Sequence, residues 1–112
     1  MTEQRQPDIG VDEEISTYRR RSYTAEIKGK EISGNAVTYA VNRHGVAEIL
    51  NFVVNKEYRG KGIGTAIYRQ FERDMKIQGV SRLFLSPINK RAPNFWERMG
   101  FKLQGDLMFK DI

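Results

Sequence analysis

Residues 53–79, VVNKEYRGKGIGTAIYRQFERDMKIQG, change hydrophobic period halfway along. The stretch before the change, VAEILNFVVN (46–55), is β-favouring and largely apolar. From Ile63 onward, apolar residues recur at Ile67, Phe71 and Met75, steps of four that mark one face of an amphipathic helix. Glu72 and Lys76 form a favourable pair on its exposed side, and Gly79 supplies the stop. Between strand and helix stand Gly60, Gly62 and Gly64. The chain must therefore pass from a strand into a helix through a nearly bare backbone. A short apolar strand, VSRLFLS (80–86), follows the helix. A strand, a crossover helix and a strand form a right-handed parallel unit.

Other elements cluster around this unit. SYTAEIKG (22–29) and AVTYAVNR (36–43) read as strands joined through the turn signals Gly29, Gly34 and Asn35. HGV (44–46) is a second turn, and short connections pair the three strands antiparallel as a meander. APNFWERMG (92–100) is a short second helix, with Pro93 in its first turn and Gly100 at its end. FKLQGDLMFK (101–110) reads as two short strands around Gly105. The expected fold is α/β in the α+β sense. An antiparallel meander runs into a β-α-β unit, with a short helix and C-terminal strands completing a central mixed sheet.

At 112 residues the chain is expected to be one domain over 17–112, preceded by a mobile acidic tail over 1–16. Hydrophobic residues at 39% and charged residues at 29% describe a soluble globular chain. No run approaches the roughly 20 apolar residues of a membrane span. The first residues, MTEQRQPDIGVDEE, have no apolar core of a signal peptide, so a cytoplasmic location is expected and no membrane partner. The absence of cysteine excludes disulfides, thiolate metal sites and a cysteine nucleophile, and no metal is expected. The net charge is +5, but residues 1–16 carry net −4, which leaves +9 for the rest. Such a basic domain suits an anionic ligand, either nucleic acid or a small molecule bearing phosphates.

Glycines at a helix start let a ligand approach the free backbone N–H groups. Those donors and the helix dipole attract phosphate. The flanking Arg59 and Lys61 add positive charge. The alternative is a tight turn that needs glycine only for its backbone angles. The nucleotide-triphosphatase loop is excluded, because Lys61 is followed by Gly62 rather than Ser or Thr. The dinucleotide fingerprint is excluded too, because Thr65 stands where its third glycine belongs.

YRGKGIGTAIYRQF resembles the acetyl-CoA pyrophosphate loop of the GCN5-related N-acetyltransferase (GNAT) family, Arg/Gln-x-x-Gly-x-Gly/Ala, which Arg59, Gly62 and Gly64 match. NKRAPNFWERMGF (89–101) resembles the family's second motif through Asn89, Ala92, Phe95, Gly100 and Phe101. The motif-bearing match covers residues 46–103. The resemblance implies acetyl-CoA as co-substrate and an amine as acceptor: a protein lysine, an N-terminus or a small amine. It implies that Phe52, Val53 and Val54 hold the pantetheine arm. Arg59, Gly60, Lys61, Gly62, Ile63, Gly64 and Thr65 would cradle the pyrophosphate. Asn89 would hydrogen-bond the arm, with a helix cap as its alternative role, and Phe95 and Trp96 would line the groove. It further implies a bulge near Val53–Asn55 that aims a backbone N–H at the thioester carbonyl. Two departures stand out. No amphipathic helix precedes the meander, which leaves the acceptor side open or roofed by a second copy in a homodimer. Trp96 occupies a position where many members have a tyrosine acid.

With no cysteine, direct attack of the amine on the thioester is expected. Glu48 is the candidate general base. Alternation places it on one face with Leu50, Phe52 and Val54, in the apolar surroundings that raise a carboxylate pKa toward neutrality. The family's histone-acetylating branch has its base at the matching position. The alternative for Glu48 is a structural carboxylate paired with an arginine. Two other functions compete. One is a CoA-binding protein with little catalysis that acts through protein contacts. The other is a basic module holding nucleic acid on Arg19, Arg20, Arg21, Lys28 and Lys30 with Tyr18 and Tyr23 interleaved, a reading weakened by the lack of a nucleic-acid motif.

Overall fold

Two residues make the first turn. In the computed structural model, which describes residues 18–58, 62–87 and 93–112, Lys28 and Gly29 have φ of 51° and 79°. Two consecutive positive values are what a two-residue hairpin needs to follow the twist of its strands. The turn joins β1 (Tyr18–Ile27) to β2 (Lys30–Val41), and β3 (Val46–Val53) completes the antiparallel meander. Helix α1 (Ile63–Ile77) crosses to β4 (Arg82–Leu85), which pairs parallel with β3. Helix α2 (Pro93–Arg98), β5 (Lys102–Gln104) and β6 (Leu107–Asp111) follow. The strand order is β1-β2-β3-β4-β6-β5, a mixed six-stranded sheet of the expected α+β class. Residues 1–17, which contain the expected tail, lie outside the described residues. No helix among the described residues is long and apolar enough to cross a membrane.

Gly34 and Asn35 are not in the first turn, as their composition suggested. They lie inside β2 at an irregularity in register, where Tyr23 pairs with Asn35 but Ala25 pairs with Ile32. The extra residue on β2 makes a bulge, and Gly34, at φ 86°, supplies a left-handed conformation there.

The core lies between one sheet face and the two helices. Ile67, Phe71 and Met75 are buried as their spacing predicts, and Tyr68 joins them. Phe71 meets Tyr39 of β2 edge-on, with ring centroids 5.2 Å apart. Each such side chain contributes about 1.5–3 kcal/mol by leaving water.

Two charge networks fasten α1 to the sheet. Tyr23 of β1 donates to Asp74 at 2.8 Å, and Arg21 stands 3.4 Å from the same carboxylate. Glu72, expected on the exposed side with Lys76, turns inward instead. Its Oε1 accepts from Tyr68 and from Lys110 of β6, and Lys76 is a distant 3.9 Å from Oε2. Lys110 also donates to the Met99 carbonyl at 2.7 Å, tying the end of α2 to α1 and β6.

Burial pushes the Glu72 carboxyl up, but hydrogen bonds from Lys110 and Tyr68 and the nearby positive charges outweigh it, so the group titrates below its usual range. Asp74 behaves alike: burial is outweighed by Tyr23, Gln70 and the charges of Arg21 and Arg73. Both groups hold fewer protons folded than unfolded near their ordinary pKa. Their stabilisation is therefore present above the unfolded carboxylate range, about pH 4, and disappears as pH falls through the lower folded values. Thermal melts should show Tm falling steeply below about pH 4, and Glu72→Gln should be less stable at pH 7 with a shallower acid decline. An acid decline identical to that of the wild-type protein would remove Glu72 from this linkage.

Candidate active site

Strand β3 changes face partway along. Ala47 and Ile49 are buried against α1, as odd-numbered positions of a regular strand. The register with β2 then shifts. Tyr39 pairs with Ile49 but Thr38 pairs with Asn51, so Leu50 is the extra residue of a bulge. Past it the inward positions are even. Phe52 and Val54 pack against the same core. This corrects two expectations. Glu48 does not share a face with Phe52 and Val54; strict alternation fails because one residue is inserted between them. The register irregularity in β3 lies at Leu50, ahead of the expected Val53–Asn55; Val53 pairs regularly with Ala36, and Val54 and Asn55 follow the end of the strand.

Strands β3 and β4 then separate. Their ladder has three rungs, Val46–Arg82, Ala47–Leu83 and Glu48–Phe84, and stops there among the described residues. β3 runs on to Val53 and β4 ends at Leu85. Half-buried Glu48 stands on the last rung, at the apex of the split, on the face opposite the helices. Its cross-strand neighbours are Ala40 and Phe84.

Helix α2 packs against the splayed end of β3. Phe95 stacks on Phe52 with centroids 5.5 Å apart and planes 24° from parallel. Trp96, only 3% exposed, meets four rings: Phe52, Tyr68, Phe95 and Phe101, at 5.0–5.8 Å. Its surroundings are those of a core residue. Tyr68, which the helical spacing alone did not single out, buttresses it from α1.

The start of α1 has the features of an anion site. Gly62 caps it in the left-handed region, φ 80° and ψ 1°, and no side chain caps the helix. The carbonyl of Gly62 accepts the first helical bond from Ala66. The amides of Ile63, Gly64 and Thr65 precede that bond and have no acceptor within the helix. A Cβ on Gly62 would meet nothing within 4 Å. A Cβ on Gly64 would lie 3.6 Å from both Phe95 Cε1 and Val54 Cγ2. The first turn of α1 thus stands directly beside the Phe52–Val54 segment and α2. Phe52, Val53, Val54, Gly62, Ile63, Gly64, Thr65, Phe95 and Trp96 come together here. Arg59, Gly60, Lys61 and Asn89 lie outside the described residues.

The basic first strand gives less to a nucleic acid than its composition suggested. Arg21 and Tyr23 are engaged with Asp74 on α1. Arg19, Arg20 and Tyr18 remain exposed.

The family model described as the acetyltransferase (GNAT) family matches residues 2–101. An N-acetyltransferase of Chlorobaculum tepidum is 31% identical over 90 residues, 80% of this chain and 55% of that protein. The solved PaiA N-acetyltransferase of Thermoplasma acidophilum, in complex with coenzyme A, superposes with a TM-score of 0.64 at 22% identity, over 83% of this chain and 61% of that one. A Bacillus subtilis acetyltransferase in complex with CoA gives 0.67 at 16% identity, over 96% and 84%. The chain spans about half the length of the Chlorobaculum relative it matches.

The two helix-start glycines should respond oppositely to the same substitution. Gly62→Ala has room but strains a left-handed backbone, at about 1–2 kcal/mol. Gly64→Ala meets only ordinary contacts and gains helix propensity, up to about 1 kcal/mol. Denaturant titration would measure both, and a loss at Gly64 as large as at Gly62 would contradict the geometry. Trp96→Ala should cost about 3–5 kcal/mol, as expected for a buried ring.

Proposed function

Because the chain belongs to the acetyltransferase (GNAT) family, we propose that it transfers acetyl from acetyl-CoA directly to an amine. The observation that carries this reading is the split between β3 and β4 beside an uncapped helix start. The amides of Ile63, Gly64 and Thr65, with Arg59, Gly60, Lys61 and Gly62, bind the pyrophosphate through hydrogen bonds and the helix dipole. The pantetheine arm follows the open side of β3 past Phe52, Val53 and Val54, with Phe95 of α2 as its wall and Asn89 as a polar contact.

At the apex of the split, the arm's thioester meets Glu48. The carboxylate takes a proton from the incoming ammonium. The neutral amine attacks the carbonyl carbon, the C–S bond breaks with the pair leaving on sulfur, and the surplus N–H proton passes to the departing thiolate or to solvent. A thiol of reference pKa about 8.5 departs with little assistance. No tyrosine acid is then needed, and Trp96 acts by packing. The acceptor is a protein lysine, an N-terminus or a small amine, reaching Glu48 from the face opposite the helices. A second copy roofing that side is the homodimeric form of the same reading, and the site is cytoplasmic.

The inactive CoA-binding alternative rests on Trp96 and predicts binding without turnover. Calorimetric titration with CoA, followed by CoA release over an amine panel, separates the two. Gly62→Val and Gly64→Val should lose CoA binding while far-UV circular dichroism stays near wild type, because a branched side chain crowds the backbone donors. A folded variant of unchanged affinity would remove the phosphate assignment. Glu48→Gln should lower turnover about 10²–10⁴-fold with little change in CoA affinity, and its rate should recover as pH rises toward the amine's own pKa. A pH–rate profile matching that of the wild-type protein would exclude Glu48 as base.

A further inference from the structure

The chain leaves β3 through Asn55, and Asn55 is held by the bulge of the neighbouring strand β2. Asn35, in the β2 bulge, is 1% exposed and is the buried polar side chain among the described residues. An amide at such a depth is costly unless its hydrogen bonds are made. Here its Nδ2 donates to the carbonyls of Tyr23 and Ile32 at 3.2 and 3.1 Å. Its Oδ1 accepts the backbone N–H of Asn55 at 2.9 Å. Asn55 returns the contact: its Nδ2 donates to the Ser33 carbonyl at 2.9 Å. Its Oδ1 accepts the Glu57 N–H at 3.0 Å and so starts the 3-10 turn Lys56–Tyr58.

We propose that Asn35 and Asn55 form a clasp that positions the cofactor-binding start of α1. The inference rests on the CoA reading given above. Its geometric link is Val54. Val54 adjoins Asn55 and stands 3.6 Å from a Cβ placed on Gly64, in the first turn of α1. The Asn35–Asn55 bond therefore fixes how closely the end of β3 approaches the amides of Ile63 to Thr65. The bulge exists in the form the clasp needs. Gly34 brings the β2 backbone against Asn55, and a Cβ there would lie 3.6 Å from Asn55 Nδ2. Apolar packing alone would have put a hydrophobic residue at 35. The amide instead joins three backbone segments, those of β1, β2 and the exit from β3.

Calorimetric titration of the purified chain with CoA tests the clasp, using Asn35→Asp and Asn55→Ala. An aspartate at 35 can still accept the Asn55 N–H. While ionised, however, it faces the Tyr23 and Ile32 carbonyls with no proton to donate, and burial favours its protonated form. Asn35→Asp should raise Kd relative to wild type about tenfold at pH 8, and the ratio should fall to within about threefold at pH 5.5, where the acid can donate again. Asn55→Ala keeps its backbone N–H and loses both side-chain bonds. It should raise Kd about threefold or more at both pH values, with Tm close to wild type. A residue with only a structural role would lower Tm and leave the Kd of the folded protein unchanged. If Asn35→Asp fails to fold at pH 8, Asn55→Ala decides alone. Wild-type Kd in the folded variants overturns the clasp and leaves the CoA reading standing. A wild-type chain that binds no CoA overturns that reading, and the clasp with it.

Discussion

The inserted residue at Leu50 is the constraint on which the site depends. Paired regularly through Leu50 instead of bulging there, the eight-residue strand would send Asn51 and Val53 toward the helices and turn Phe52 to the opposite face. With the bulge, β3 packs Ala47 and Ile49 against α1, then Phe52 against α2, all on one side. A bulge also bends its strand and sharpens the local twist. The β3–β4 ladder ends at Glu48–Phe84, two residues before the bulge. The bulge keeps Phe52 of the aromatic wall on the core side, and the split with its carboxylate opens two residues before it.

A splayed strand end needs support, because backbone groups that leave a ladder lose their partners. Helix α2 supplies it, although six residues are too few to form a stable helix alone. Its support is tertiary. Trp96 is wedged between Tyr68 of α1 and Phe52 of β3, and Phe101 closes the cluster from below. Lys110 holds the other end through the Met99 carbonyl and Glu72. The aromatic cluster and the ion pair meet at Tyr68, whose ring touches Trp96 while its hydroxyl donates to Glu72. Burial and the Glu72 carboxylate push the Tyr68 hydroxyl well above the usual phenol range, so it stays a donor across the working pH.

Much of this was legible from periodicity. Steps of four at Ile63, Ile67, Phe71 and Met75 identified α1, and short connections identified the meander. The turn residues around Gly105 separated β5 from β6. The misreadings share one cause. Gly34 and Asn35 looked like a turn, and Glu48 looked coplanar with Phe52, because an inserted residue leaves no mark on composition. A bulge is specified by what lies across the strand, and that partner is distant in sequence. The inward turn of Glu72 was hidden likewise: Lys76 is four residues away and visible, whereas Lys110 is 38 residues away. Asn35 could have been noticed as a polar residue directly before the apolar run AVTYAV, but only its depth shows why it is there.

The glycines that first drew attention to the junction have separate causes. Gly62 is required by its backbone, since a left-handed cap is a conformation that side chains resist. Gly64 is helical and meets no such restriction; its Cβ would reach Val54 and Phe95 at ordinary contact distance. Conformation alone therefore does not account for the second glycine, and neither does packing. On the proposed CoA reading, a bare position there keeps the groove beside the first-turn amides open. A ligand whose charged group must come within hydrogen-bond distance of those donors needs every side chain at the helix start to be small or turned away. Backbone conformation accounts for Gly62, and the proposed phosphate contact would account for Gly64. Their spacing of two puts both requirements within the single helical turn where α1, α2 and the end of β3 converge.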